Sequence, residues 1–130
     1  VKTATPNELY FTDDAGNDVQ LVTGGAAAGG GGGYTAVTDI TSAGGLTAST
    51  YHIVDTNAGS AAFTVTLPAA SAVAAGTQIG VKATHAATYA VTISRAAGGN
   101  IDGAAANIVL SSNMAAVELI SDATDWWIMS

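Results

Sequence analysis

The sequence predicts an all-β chain in three parts: an N-terminal β-hairpin arm, a glycine-rich linker, and a C-terminal antiparallel β-sandwich or prism-like domain of about eight short strands. Three observations predict it. Short stretches along most of the chain alternate apolar and polar residues, and Gly, Asn, Asp and Ser separate them. The run "GGAAAGGGGGY" at 24–34 holds seven glycines in its first ten positions and divides the chain. Helix-friendly composition is confined to "AASAVAAGT" at 69–77. The parts are residues 1–23, 24–33 and 34–130.

The arm is read from "ELYFTDDAGNDVQLV" at 8–22. Leu9 and Phe11 alternate with Glu8, Tyr10 and Thr12, and Val19 and Leu21 alternate with Asp18 and Gln20. "DDAGN" between them is a turn composition, with Gly16 and Asn17 suited to positive φ. A lone two-stranded hairpin is marginal in water. Its apolar face therefore needs cover from copies of itself or from another protein. Leu9, Phe11, Val19 and Leu21 are the candidate anchor contacts.

A folded core has no use for the next segment, because glycine buries no side chain and loses the most entropy on ordering. As a flexible coil, about ten residues span roughly 18 Å and at most about 35 Å. As an ordered neck, Gly and Ala would let several backbones approach one axis, the steric logic of collagen. No strict triplet repeat is present, so collagen itself is excluded.

The head is read as strands over 34–41, 50–56, 62–68, 77–83, 89–95, 107–112, 115–121 and 125–130. "AFTVTLP" sets Phe63, Val65 and Leu67 against Thr64 and Thr66 and stops at Pro68. "YAVTISR" groups Tyr89, Val91 and Ile93. Segment 69–77 reads as a short helical crossover, with Pro68 at its start and Gly76 at its end. No internal repeat has a fixed period.

Composition narrows the function. Charged residues are 10% of the chain, below the usual quarter, and the formal net charge is −7. No basic footprint exists for nucleic acid or for an anionic membrane surface. No stretch is apolar enough for long enough to span a bilayer as a helix. The absence of cysteine excludes disulfides, thiolate nucleophiles and Cys-based zinc sites. Outward faces carry Thr and Ser where charge is usual, a composition suited to contact with neighbours.

Candidate chemistry is sparse. The glycine run lacks Gly-Lys-Ser/Thr and a G-x-G-x-x-G fingerprint, so it is no phosphate loop. His52 and His85 lie on separate segments and lack a third metal ligand; both read as surface or strand-facing. Asp13, Asp14 and Asp18 lack the distal Glu of a calcium loop and read as turn residues. Asp122 and Asp125 read as a strand–turn–strand connection. No catalytic residue, cofactor or metal is expected. Trp126 and Trp127 are adjacent, so on a strand they point to opposite faces. One is expected in the core with Ile128, and the other against a neighbour or a sugar ring.

Taken together, "YHIVDTNAGSAAFTVTLPAA", "GTQIGVKA", "AVTISRAAGGNIDGAAANIVL" and "VELISDATDWWIMS" resemble a β domain common at the C-terminus of tailed-phage virion proteins. "ELYFTDDAGNDVQLVTGG" is similar to a short module recurring in phage fibre and head-decoration proteins. The resemblance implies a non-enzymatic homotrimer on the virion surface, on the capsid exterior or the tail. It implies a capsid decoration, cement or head-fibre protein whose arm grips the major capsid protein or another virion protein. The alternative is a tail-fibre tip recognising a host surface glycan, with Trp126 and Trp127 as glycan or subunit contacts. The short chain favours decoration. A bacterial surface adhesin is a third reading, suggested by the Thr-rich faces and opposed by the lack of a regular Thr repeat.

Overall fold

The computed structural model describes residues 33–130 and, before them, the backbone of four strand segments, Lys2–Ala4, Glu8–Thr12, Asp18–Thr23 and Ala26–Ala27. Of the hairpin expected over 8–22, the strands Glu8–Thr12 and Asp18–Thr23 are described and pair antiparallel; the turn between them, the side chains of Leu9, Phe11, Val19 and Leu21, and most of the linker up to residue 32 lie outside the described residues.

Residues 33–130 form nine strands and almost no helix. They are β1 (Ala36–Ile40), β2 (Gly44–Gly45), β3 (Thr50–Val54), β4 (Phe63–Thr66), β5 (Gln78–Ala83), β6 (Val91–Ser94), β7 (Ile108–Leu110), β8 (Ala115–Ser121) and β9 (Trp126–Ile128). A single helical turn, α1 (Thr56–Gly59), follows β3. The Asp55 carboxylate accepts from the Asn57 and Ala58 amides and so caps its start. Ser60, in the left-handed region at φ 50°, ends it. The crossover expected over 69–77 shrinks to the 3-10 turn Ala70–Ala72.

These nine strands build two mixed sheets. One has five strands in the order β9-β8-β5-β3-β1 and the other four in the order β7-β6-β4-β2. The expectation of an antiparallel domain is corrected here. β1, β3 and β5 pair in parallel, as do β2, β4 and β6. Within residues 33–130 antiparallel strand pairing is confined to β5–β8, β8–β9 and β6–β7. From β1 to β6 the chain alternates between sheets. Each strand of one sheet thus serves as the crossover that parallel neighbours in the other sheet require. The result is a short coil of three uneven rungs, closed by the antiparallel strands. The rungs differ in length, since Ala36 pairs with Thr50 but Thr50 pairs with Ile79. No fixed sequence period accompanies them.

One core joins the sheets. The five-stranded sheet contributes Val54, Ile79, Val81, Ala83, Val117, Leu119 and Trp126; the other contributes Val65, Val91, Ile93 and Leu110. The period-two alternation supplies these residues, which alternate with partly or fully exposed neighbours on most strands. Burying each large aliphatic side chain contributes about 1.5–3 kcal/mol. Ile128, expected in this core, is instead 41% exposed at the sheet margin.

Candidate functional site

The five-stranded sheet turns one face to the core and the other outward. Register sets the outward rows, because paired residues share a face. One row runs Val37, Tyr51, Gly80 and Glu118. Met129 continues it, its amide donating to the Glu118 carbonyl at 2.7 Å. A second row runs Gln78, Ile120 and Trp127, and a third Asp39, Ile53, Lys82 and Ala116.

The middle of this face is roofed by aromatics. Tyr34 and Tyr51 meet edge to face, with ring centroids 5.2 Å apart and planes at 83°. The rings lie over Gly80 so closely that an added Cβ would sit 2.2 Å from Tyr51 Cδ2. Glycine inside this strand is thus explained by the close approach of a ring. The buried Tyr34 hydroxyl has no hydrogen-bond partner among the described residues. Burial first, and then the Glu118 carboxylate, push its pKa up to about 12.

The margins of the same face are open. Val37 on β1 is 66% exposed, and Trp127 and Met129 at the opposite margin are 41% and 42% exposed. Asp122 pins Trp127. Its Oδ2 accepts from the indole N–H at 2.7 Å, and its Oδ1 accepts from the amides of Thr124 and Asp125. Those hydrogen bonds, the Asp125 amide foremost, hold the Asp122 carboxyl below the usual range. The tryptophan pair does take opposite faces. Trp126 is buried and donates its indole N–H to the Pro68 carbonyl at 3.0 Å. Its ring is therefore closed to a surface ligand, and Trp127 is the member that meets solvent.

His52, His85, Asp55, Asp102 and Asp125 have structural partners, whereas the buried Thr56 hydroxyl has none among the described residues. His52 is buried, and its Nε2 accepts from the Thr47 amide. Its Nδ1 therefore carries the proton facing the Gly80 carbonyl at 3.2 Å. Burial lowers its pKa, with the Gly80 bond opposing. His85 Nδ1 contacts both Asp55 Oδ1 at 2.9 Å and Thr84 Oγ1 at 3.0 Å. A nucleophile relay needs the carboxylate and the hydroxyl on opposite ring nitrogens, so this cluster is not one. Partial burial tends to raise the Asp55 pKa, but the bonds from His85, Ala58 and Asn57 prevail and lower it. Asp125 accepts from Asn100, and Asp102 from the Ile128 amide, so both serve turns. Among the described residues no cluster of His, Cys, Asp and Glu has metal-site geometry. A half-open pocket of about 320 Å³ between residues 69–71, 97–99 and 123–124 is lined by Ala, Gly, Ser and Thr alone.

The outward face gathers exposed large apolar side chains at its two margins. No protein-family model and no curated protein matches the chain.

Proposed function

We propose that the protein is a non-enzymatic phage virion structural protein, a homotrimeric capsid decoration, cement or head-fibre protein. In this reading residues 1–23 form a hairpin arm that grips the major capsid protein or another virion protein through Leu9, Phe11, Val19 and Leu21. Residues 24–33 link it to the β head. The observation that carries the reading is the exposure of Val37, Trp127, Ile128 and Met129 along two margins of one sheet. Large apolar side chains gathered in this way mark contact surfaces. The sparse charge and the quoted sequence resemblance supply the rest. The test is particle binding by the full chain and by a chain lacking 1–23. A decoration protein loses particle binding with the arm.

One observation favours a second reading, a tail-fibre tip that binds a host glycan. Trp127 offers an exposed ring held in one orientation by Asp122, a geometry suited to stacking on a sugar. In that case glycan or cell binding survives loss of the arm and fails in Trp127→Ala.

A further inference from the structure

His52 is a titratable side chain on the core side of β3, between the buried Thr50 and Val54, and it is 1% exposed. Both of its ring nitrogens are engaged, and the two partners differ in what holds them. The Gly80 carbonyl, 3.2 Å from Nδ1, belongs to β5, which is paired on one side with β3 and on the other with β8. The Thr47 amide, 3.0 Å from Nε2, belongs to residues 44–49, a segment with far less support. Its strand β2 is Gly44 and Gly45, which have no side chains to pack, and it meets β4 over two register positions. After them the Leu46 amide donates to the Thr66 carbonyl at 2.8 Å, and the Leu46 side chain enters the core. Ser49, in the left-handed region at φ 56°, turns the chain into β3, and its carbonyl accepts from the Thr35 amide. The segment covers the ring and carries no charged residue.

A neutral imidazole donates at one nitrogen and accepts at the other, the state these two partners require. An imidazolium donates at both. Its Nε2–H would face the Thr47 N–H across 3.0 Å, donor against donor, with a buried charge left unpaired. Relief has to come from one side. β5 yields only by breaking two strand ladders. Residues 44–49 yield by giving up the two β2 positions and the Leu46 and Thr47 amide bonds, which also lets water reach the ring. We infer that His52 is a pH-sensitive latch: a proton on Nε2 releases residues 44–49 and uncovers the core at Leu46, while β3, β5 and β8 stay paired. Charged groups do not shield the ring from this. Asp39, Tyr51, Lys82 and Glu118 stand on the outward face of β1, β3, β5 and β8, and β2, β4 and β6 carry no titratable residue. Asp55 and His85, past the ends of β3 and β5, pair with each other at 2.9 Å, and Arg95 is taken by the Gly99 carbonyl. The released state presents Leu46 to solvent, an apolar contact that neutral pH withholds. The latch does not rest on the virion reading.

Native-state hydrogen exchange of the full chain, read amide by amide by NMR, tests it. Protection factors, corrected for the intrinsic pH dependence of exchange, are compared at pH 7.5 and 5.5, with and without sub-denaturing urea. The Leu46 and Thr47 amides should be less protected than those of β5 and β8 at both pH values. Their protection should fall about tenfold between pH 7.5 and 5.5, as a proton is taken up in the open state at an ordinary histidine pKa. Urea should leave their exchange nearly unchanged, because local opening exposes little surface, while it speeds exchange in β5 and β8. Leu46 and Thr47 amides that share the rate and urea dependence of β5 would place the proton uptake in the globally unfolded chain and overturn the latch. Protection that does not change with pH would overturn it as well. His52→Gln keeps an acceptor oxygen and cannot titrate, so its Leu46 and Thr47 protection should stay level between the two pH values. A tenfold fall in that variant would trace the effect to another group and refute the assignment. Should the variant misfold, the wild-type exchange pattern decides alone.

Discussion

Gly80→Ala places one methyl group under the tyrosine roof. The new Cβ would lie 2.2 Å from Tyr51 Cδ2, 2.6 Å from Cε2 and 3.0 Å from the Tyr34 hydroxyl. Carbon atoms settle at about 3.5–4.0 Å, so the Tyr51 ring must retreat by more than about 1 Å. The backbone offers little relief, because β5 is paired on both sides, with Tyr51 and with Glu118. Overpacking of this kind costs about 1–3 kcal/mol. Losing the edge-to-face contact adds about 0.5–1.5 kcal/mol. The sum, about 2–4 kcal/mol, corresponds to a fall in Tm on the order of 10–30 °C for a domain of about 100 residues. Urea unfolding followed by tryptophan fluorescence measures it. Tyr51→Ala vacates the space, so the double variant should cost less than the sum of the single ones by about 1–3 kcal/mol. A Gly80→Ala protein within about 0.5 kcal/mol of wild type, or an additive cycle, would refute the roof.

Other perturbations separate the remaining parts. The buried His52 resists protonation, while the unfolded chain takes up its proton near pH 6.5. Stability should therefore fall as pH drops below 6.5, by up to about 1.4 kcal/mol per pH unit. Urea midpoints at pH 7.5 and 5.5 read this, and equal midpoints contradict it. Asp55 and Asp122 act in the same direction over a lower pH range, with pKa values held below 3.8 in the fold. Their contribution is present above pH 3.8 and drains away below it. Asp122→Ala should flatten the acid limb of an unfolding curve, and an unchanged limb argues against the turn's role. Trp126→Ala should cost about 3–5 kcal/mol and Trp127→Ala far less. Similar losses in the two variants would contradict their placement on opposite faces.

The all-β class was legible because alternation with period two is a direct signal of half-buried strands. Direction was not. Val65 alternating with Thr64 and Thr66 reads alike in parallel and antiparallel sheets, and the coil's unequal rungs leave no period to detect. β2 was missed because Gly44 and Gly45 carry no side chains to form a pattern. α1 was missed, with Thr56 read as the end of the strand over 50–56, although Asp55 two residues ahead of Asn57 is a capping signal. The opposite faces of Trp126 and Trp127 followed from adjacency, but the pattern could not say which ring is buried. His52 read as surface or strand-facing. Its burial depends on two backbone partners, Thr47 and Gly80, that no local pattern brings together. The outward face was only partly legible. Gly80 inside an apolar strand hinted at close packing, but Tyr34 reaches it across the fold.

The central claim, a virion protein that works as a homotrimer, is tested most directly by the native mass of the full chain at micromolar concentration. Light scattering should give three times the 12.7 kDa chain. A stable, folded monomer at that concentration would contradict the account.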